Sequence, residues 1–170
     1  MNKKNFLVIG LTGPNAAGKG EVCKYLLTKG FVVMSLSDIL REEASNHNLE
    51  PTRNNLIMLG NKLRTKYGSA ILAKRLSKNI VKQFCATKYQ SNFQNIKIVV
   101  DSIRTVGEIK HFKKVFNSRF FLISIVAPKK VRFKFIQKRC REGDPKTFAE
   151  FLRIEKKECS NSSVKQQIHK

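Results

Sequence analysis

The sequence predicts an α/β fold in three layers, a mostly parallel sheet covered by helices on both faces. Three observations carry this. Short apolar runs alternate along the chain with segments of helical periodicity. A glycine-rich turn of the G-x-x-x-x-G-K kind, Gly13-Pro14-Asn15-Ala16-Ala17-Gly18-Lys19-Gly20, separates the first run from the first helical segment. The length, 170 residues, suits one domain with a core that needs no staples.

The elements follow in order. Phe6 to Leu11 reads as a first, buried strand, and Lys19 to Thr28 as a helix stopped by Gly30, which suits a left-handed C-terminal position. Phe31 to Ser35 reads as a second short buried strand. Ser35 and Asp38 form an S-x-x-D capping signal for a helix to about Asn46. Pro51-Thr52 opens a helix whose Leu56, Leu59 and Leu63 make an apolar stripe. Gly68 ends it, and Ser69 can cap another with Ile71, Leu72, Leu76, Ile80 and Phe84 on one side. Residues 86 to 95 are polar and read as a loop. Ile96 to Val100 is a third strand, Val106 to Phe116 a helix and Phe120 to Val126 a fourth strand. Pro128 starts a basic helix to about Cys140, and Asp144-Pro145 introduces a last helix over about Lys146 to Glu158. No internal repeat is visible.

The glycine turn is a phosphate-binding loop set in the strand, loop and helix order that such a loop requires. Gly13 and Gly18 let the backbone curl until the amides of Asn15, Ala16, Ala17, Gly18, Lys19 and Gly20 point into one concavity. The helix starting near Lys19 adds its positive end and its unpaired donors. Lys19 brings a mobile charge for the outer phosphates.

Composition narrows the setting. Cys23, Cys85, Cys140 and Cys159 are scattered, with no C-x-x-C pair, which argues against a zinc site or a disulfide framework and for a reducing, cytoplasmic compartment. Residues 1 to 11 read as the approach to a buried strand, not as a signal sequence. No run nears 18 apolar residues, so no membrane span is expected. The 34 Lys and Arg against 12 Asp and Glu leave a net charge of +22. Three readings of that excess stand: a solvated surface, capture of substrate phosphates, and nucleic-acid binding, with the last not favoured.

Four segments in order give the chain a family likeness. The phosphate loop, Ser35-Leu36-Ser37-Asp38-Ile39-Leu40-Arg41, Val99-Val100-Asp101-Ser102-Ile103-Arg104, and Arg139-Cys140-Arg141-Glu142-Gly143-Asp144-Pro145 resemble those of P-loop nucleotide kinases. They look most like the small adenylate-kinase-like and dephospho-CoA-kinase-like ATPases. The resemblance covers residues 6 to about 158. It implies a P-loop NTPase fold, ATP and magnesium as cofactors and a small nucleotide-like acceptor. Asp38 and Arg41 would fall in the acceptor region, Arg104 beside the acceptor phosphate, and Arg132, Arg139 and Arg141 in a lid over about 129 to 145.

Residue chemistry agrees with these roles without deciding each one. Asp101 ends a buried strand at the ligand edge, where a carboxylate holds magnesium directly or through water; the competing role is a cap for the helix after Thr105. Arg104 offers a planar fork for phosphate, or is a surface residue. Asp38 and Arg41, at i and i+3, make a local salt bridge, or else Arg41 binds the acceptor while Asp38 orients a hydroxyl. Lys129 to Arg141 holds seven basic residues and no acidic one. Arg132 and Arg139 share a helix face there, as a lid would need, although a basic amphipathic helix on RNA or a membrane surface has the same pattern.

Two departures from the family pattern stand out. Walker loops usually carry Ser or Thr after the lysine as a magnesium ligand, and adenylate kinases a threonine one place later; here Gly20 and Glu21 follow. Glu21 either joins the metal's water shell or sits close to phosphate. After Glu158, residues 159 to 170 form a polar tail with no run fit for a fifth strand. A four-stranded sheet in the order 2-3-1-4 is therefore expected, with the fourth strand an exposed edge open to an oligomer partner. His47, His111, His169, Tyr25, Tyr67 and Tyr89 receive no role.

The functional expectation is transfer of the γ-phosphoryl of ATP to a small nucleotide-like acceptor. Lys19, Asp38, Asp101, Arg139 and Arg141 are the expected catalytic set, Gly13 and Asn15 to Glu21 the ATP cradle, and Arg41, Arg104 and Arg132 the acceptor contacts. The alternatives are an ATP-sensing module with little turnover and a nucleic-acid-binding or polynucleotide 5′-end kinase.

Overall fold

A computed structural model of the chain describes residues 6–85, 96–140 and 143–158. Among the described residues four strands and seven helices follow in order: β1 (Phe6–Thr12), α1 (Lys19–Thr28), β2 (Val32–Ser35), α2 (Leu36–Asn46), α3 (Arg53–Tyr67), α4 (Ile71–Cys85), β3 (Ile96–Ile103), α5 (Val106–Phe116), β4 (Phe120–Ser124), α6 (Lys129–Arg139) and α7 (Phe148–Glu158). The strands pair in parallel in the order β2-β3-β1-β4, as expected. The expected loop at 86–95 and the polar tail at 159–170 lie outside the described residues.

Burial explains the strand order. β3 is apolar on both faces, with Ile98, Val99, Val100 and Ile103 fully buried, and it takes a central place beside β1. Gly10 of β1 is required by that closeness: a Cβ there would lie 2.6 Å from Ile103 and 2.8 Å from the Phe120 ring. β2 departs from its expected character. It starts at Val32, not Phe31, and as an edge strand it leaves Val32 and Val33 exposed; only Phe31, just before it, is buried. β4 is the other edge, where Phe121, Leu122 and Ile123 stay exposed.

One face of the sheet holds the larger core, where α2, α4 and α5 set Leu36, Leu40, Leu72, Leu76, Ile80 and Phe112 against Val8, Ile98 and Val100. Phe112 stacks on Phe116 at 6.2 Å and on Phe120 at 5.7 Å. Truncating Phe112 to Ala is worth about 3–5 kcal/mol by comparison with other buried aromatics. The opposite face packs α1 through Cys23, Val22 and Leu26 against Leu11 and Val99.

Two boundaries move in ways that matter for the site. β3 continues past Val100 to Ile103, so Asp101 lies inside the strand and not at its end, and the register slips between Gly10 and Thr12 where β3 carries Ser102 at φ 67°. α5 is capped by Thr105, whose hydroxyl accepts from the Glu108 amide while Glu108 accepts from the Thr105 amide. Asp101 is thereby freed from any capping duty. β4 ends at Ser124 and α7 begins at Phe148, each shorter than its sequence reading.

Candidate functional site

The phosphate loop leaves β1 at Thr12 and enters α1 at Lys19. Gly13 and Gly18 take φ of 122° and 102°, which glycine alone adopts freely. Gly13 has a second constraint, because a Cβ on it would stand 2.0 Å from the Ile125 carbonyl oxygen. That contact follows from the sheet: the Ile125 amide donates to the Thr12 carbonyl at 3.0 Å, so the chain leaving β4 passes directly against the turn. Ala16, at φ 58°, completes the curl. The amides of Asn15, Ala16, Gly18, Lys19 and Gly20 make no hydrogen bond within the described protein, whereas Ala17 donates to Pro14 at 3.4 Å. A concavity of unspent donors at a helix N-terminus is a site for an anion.

Lys19 is buried and folds back on its own loop, donating from Nζ to the carbonyls of Gly13 and Pro14, each at 2.8 Å. Burial pushes its pKa down to about 7, and neighbouring Arg104 works in the same direction against the pull of Asp101. An ammonium held this weakly gains a great deal from an incoming phosphate.

The loop forms one wall of an open cleft of about 710 Å³. Also lining it are Arg41 from α2, Arg53 from α3, Arg104 after β3, and Lys138 and Arg139 from α6, with Asp101 and Ser102 from β3. With Lys19 and Lys24, seven cationic side chains line the cleft against two carboxylates, Glu21 and Asp101. Glu21 lines the mouth of the cleft in an exposed pair with Lys24 at 2.9 Å.

The expected site residues fall in three groups. Lys19, Asp101, Arg41, Arg104 and Arg139 meet in the cleft with Asn15, Ala16, Gly18, Gly20 and Glu21. Arg104 is buried, and its pKa is pushed down to about 10 by burial against the opposing pull of Asp101. Arg139 is held by a bidentate pair with Asp144, at 2.7 and 2.6 Å. Asp38 does not line the cleft; it makes the exposed i, i+3 pair with Arg41 at 2.6 Å. Arg132 is not placed as a lid finger. It is buried behind the loop, donating to Ala127 and Asn15 carbonyls at 2.9 and 3.3 Å and to Glu155 of α7, with Phe151 beneath its guanidinium. It therefore braces the phosphate loop. Arg141 lies outside the described residues.

Asp101 suits a cation. Its Oδ2 accepts from the Ser102 hydroxyl at 3.0 Å, but its buried Oδ1 has no hydrogen-bond partner among the described residues. An orphaned carboxylate oxygen beside a phosphate cradle fits a hydrated divalent ion. Gly20 offers no hydroxyl to share that role.

Two features escaped the sequence reading. Arg53 sits in the first turn of α3, where a cation opposes the helix dipole. That misplacement was the available signal. Burial pushes its pKa down to about 9, with Arg104 and Arg139 adding to the effect. The second is a buried ion pair, in which Arg64 donates to Glu108 at 3.2 and 2.9 Å while Glu108 also accepts the Arg104 and Thr105 amides. It fixes the backbone that carries Arg104. Forty-four residues separate the partners, so no local pattern announces them. Arg64 Nη1 has no partner among the described residues and adjoins a cavity of about 30 Å³ shared with Ser37, Arg53, Ser102 and Arg104.

Fold and site together define a P-loop protein of the nucleotide-kinase-like class. Comparison with known proteins is more particular: a family model described as an AAA domain matches residues 12–151, and the chain belongs to that family. It also belongs with the UPF0200 proteins of archaea. It is 34% identical over 156 residues to UPF0200 protein PH1008 of Pyrococcus horikoshii, covering 89% of this chain and 78% of that one. The UPF0200 protein PYRAB09750 of Pyrococcus abyssi is 35% identical over the same span, and one from Methanosarcina mazei 33% over 137 residues, covering 81% and 68%. Among solved structures, TT1252 from Thermus thermophilus superposes with a TM-score of 0.53 over 90% of this chain and 80% of that one, at 18% identity, a likeness of fold. No helix among the described residues is long and apolar enough to cross a membrane.

Proposed function

We propose that this protein transfers the γ-phosphoryl group of ATP to a small acceptor that itself carries a phosphate, as a nucleoside monophosphate does. One observation carries the reading: four arginines, drawn from α2, α3, the turn after β3 and α6, line the same cleft as the phosphate loop. A site that bound only a triphosphate would have no use for so many cations besides Lys19 and the loop amides. Two polyphosphate ends brought head to head would neutralise them.

The roles then follow from position. The free amides of Asn15, Ala16, Gly18, Lys19 and Gly20, with the Lys19 ammonium, hold the donor's β- and γ-phosphates. Arg41, Arg53 and Arg104 bind the acceptor phosphate and aim one of its oxygens at the γ-phosphorus. As that bond forms, the bond from the γ-phosphorus to the bridging oxygen of ADP breaks, and Arg139 turns from Asp144 toward the migrating group. Asp101, with its unpartnered Oδ1, would hold a magnesium ion, which would neutralise charge on the phosphates. An ionised phosphate acceptor needs no base, which agrees with Asp38 lying outside the cleft in a pair with Arg41.

The test is transfer of label from γ-labelled ATP, with magnesium, to nucleoside monophosphates, dephospho-CoA and DNA or RNA 5′-ends. Label on a monophosphate, retained within about tenfold by Asp38→Asn, supports the proposal. Label on a hydroxyl acceptor, lost about 100-fold or more in Asp38→Asn, replaces it with the hydroxyl-kinase reading. No label on any acceptor, with tight ATP binding, leaves a nucleotide sensor.

A further inference from the structure

The distribution of the charge says more than its total. Between Glu50 and Asp101 the chain has no Asp or Glu, and between Glu108 and Glu142 again none. Of the two carboxylates that interrupt this span, Asp101 lines the cleft and Glu108 is taken up in its buried pair. Two helices from the span, α4 and α5, pack side by side away from the cleft. Their contact is close: the Thr105 hydroxyl donates to the Ser69 carbonyl at 3.0 Å, and Ser77 Oγ lies 3.1 Å from His111 Nε2. Both helices therefore run in the same direction from the same end of the sheet.

Each presents lysines outward. On α4, Lys74, Lys78 and Lys82 repeat at i, i+4 and i+8 and are all exposed. On α5, Lys110, Lys113 and Lys114 are exposed. Lys74 and Lys114 flank His111 from the two helices and both hold its pKa down, together with burial, so the rows adjoin. None of the six makes an ion pair among the described residues. The nearest carboxylates, Glu42 and Glu43 of α2, share a surface groove with Lys78, and Glu43 is already taken by Arg75 at 2.7 Å. Like charges four apart on a helix oppose helix formation by a few tenths of a kcal/mol per pair. The fold tolerates two such pairs in succession on α4.

We propose that the paired lysine rows of α4 and α5 bind the backbone of double-helical nucleic acid. Lysines four residues apart stand about 6 Å apart along each helix, and packed helix axes lie about 8–10 Å apart, so the face offers two neighbouring cationic rows, broad enough for more than one line of phosphates. Single strands are held by aromatic stacking platforms, and a membrane by apolar anchors. Among the described residues this face has neither: its large exposed apolar residues are Val81 and Val115. The contact is with phosphates and carries no base readout.

Fluorescence anisotropy on the whole protein, with a labelled 24-base-pair duplex in the absence of ATP, provides the test. The expected plot of log affinity against log salt is steep, with a slope beyond about −3. Replacing Lys74, Lys78 and Lys114 together by Gln makes it shallower by about 2 to 3 and weakens binding to all sequences alike. ATP affinity stays within twofold, because none of the three lines the cleft. A control variant replaces Lys29, Lys62 and Lys66, exposed elsewhere, by Gln. If the control loses as much as the α4 and α5 variant, charge is diffuse and the proposal fails. It fails equally if single strands or anionic vesicles bind as tightly as the duplex at the same salt.

Discussion

Lys19 makes nucleotide binding a proton-coupled event. Its pKa in the free protein is about 7, set first by burial and then by Arg104. At pH 8 roughly one molecule in ten carries the charge. A triphosphate in the loop favours the ammonium and lifts the pKa toward the ordinary lysine range, so binding at pH 8 takes up close to one proton, about 0.9. The sign follows: affinity falls as pH rises above 7, by up to about tenfold per unit, until the pKa of the complex is reached. Titration calorimetry at pH 8 in buffers of different ionisation enthalpy measures the uptake as a slope. Lys19→Met removes the slope and most of the affinity, whereas Lys19→Arg, charged throughout, removes the slope alone. A wild-type slope of zero at pH 8 would refute the reasoning. The same depression means that folding stability rises with pH between about 7 and 10.5, where the unfolded lysine still binds a proton that the folded one has lost.

Other perturbations have equally definite outcomes. Gly13→Ala places a methyl group 2.0 Å from the Ile125 carbonyl at a φ of 122°, so the loop or β4 must move. It should lower the thermal midpoint by several degrees and abolish protection by ATP in a melting assay. Glu108→Ala leaves Arg64 charged and buried and strips the Arg104 and Thr105 amides of their acceptor, and should cost about 3–5 kcal/mol in urea unfolding. Gly60→Ala gains helix propensity but sets a Cβ 2.9 Å from Arg64 Nη1 and 3.3 Å from Leu40. Arg64 lines the small cavity together with Arg53 and Arg104, the proposed acceptor contacts, so the variant should fold, keep its ATP affinity and raise the acceptor KM; an unchanged acceptor KM would show that the cavity does not shape the acceptor contacts.

How much of this could be read from residues alone depended on the range of the interaction. The phosphate loop, the helix at Val106–Phe116 and the parallel order of strands rest on local patterns, in glycine spacing, in periodicity and in the alternation of elements. The helix-forming face of α3 was legible for the same reason. Arg132 was misplaced because its helix face is the one expected, but α7 folds over it: Glu155 and Phe151 arrive from far along the chain and turn a solvent-facing arginine into a brace. The pairing of Arg64 with Glu108 was invisible for the same reason. Asp101 was read correctly as a residue at the ligand edge and wrongly as the strand's last, because the irregular register around Ser102 lets β3 run on past a polar pair. Arg53 alone left a local trace, a cation against the helix dipole, that composition does not weigh.

Phosphoryl transfer of this kind requires two phosphate-bearing ligands to meet in one cleft. Binding of a bisubstrate compound, two nucleosides joined through five phosphates, measures that directly and needs no turnover. With both walls engaged it should bind about 100-fold or more tighter than ATP, since the second end attaches intramolecularly, and Arg53→Gln should erase most of that advantage while sparing ATP. A bisubstrate compound that binds no better than ATP would contradict the account.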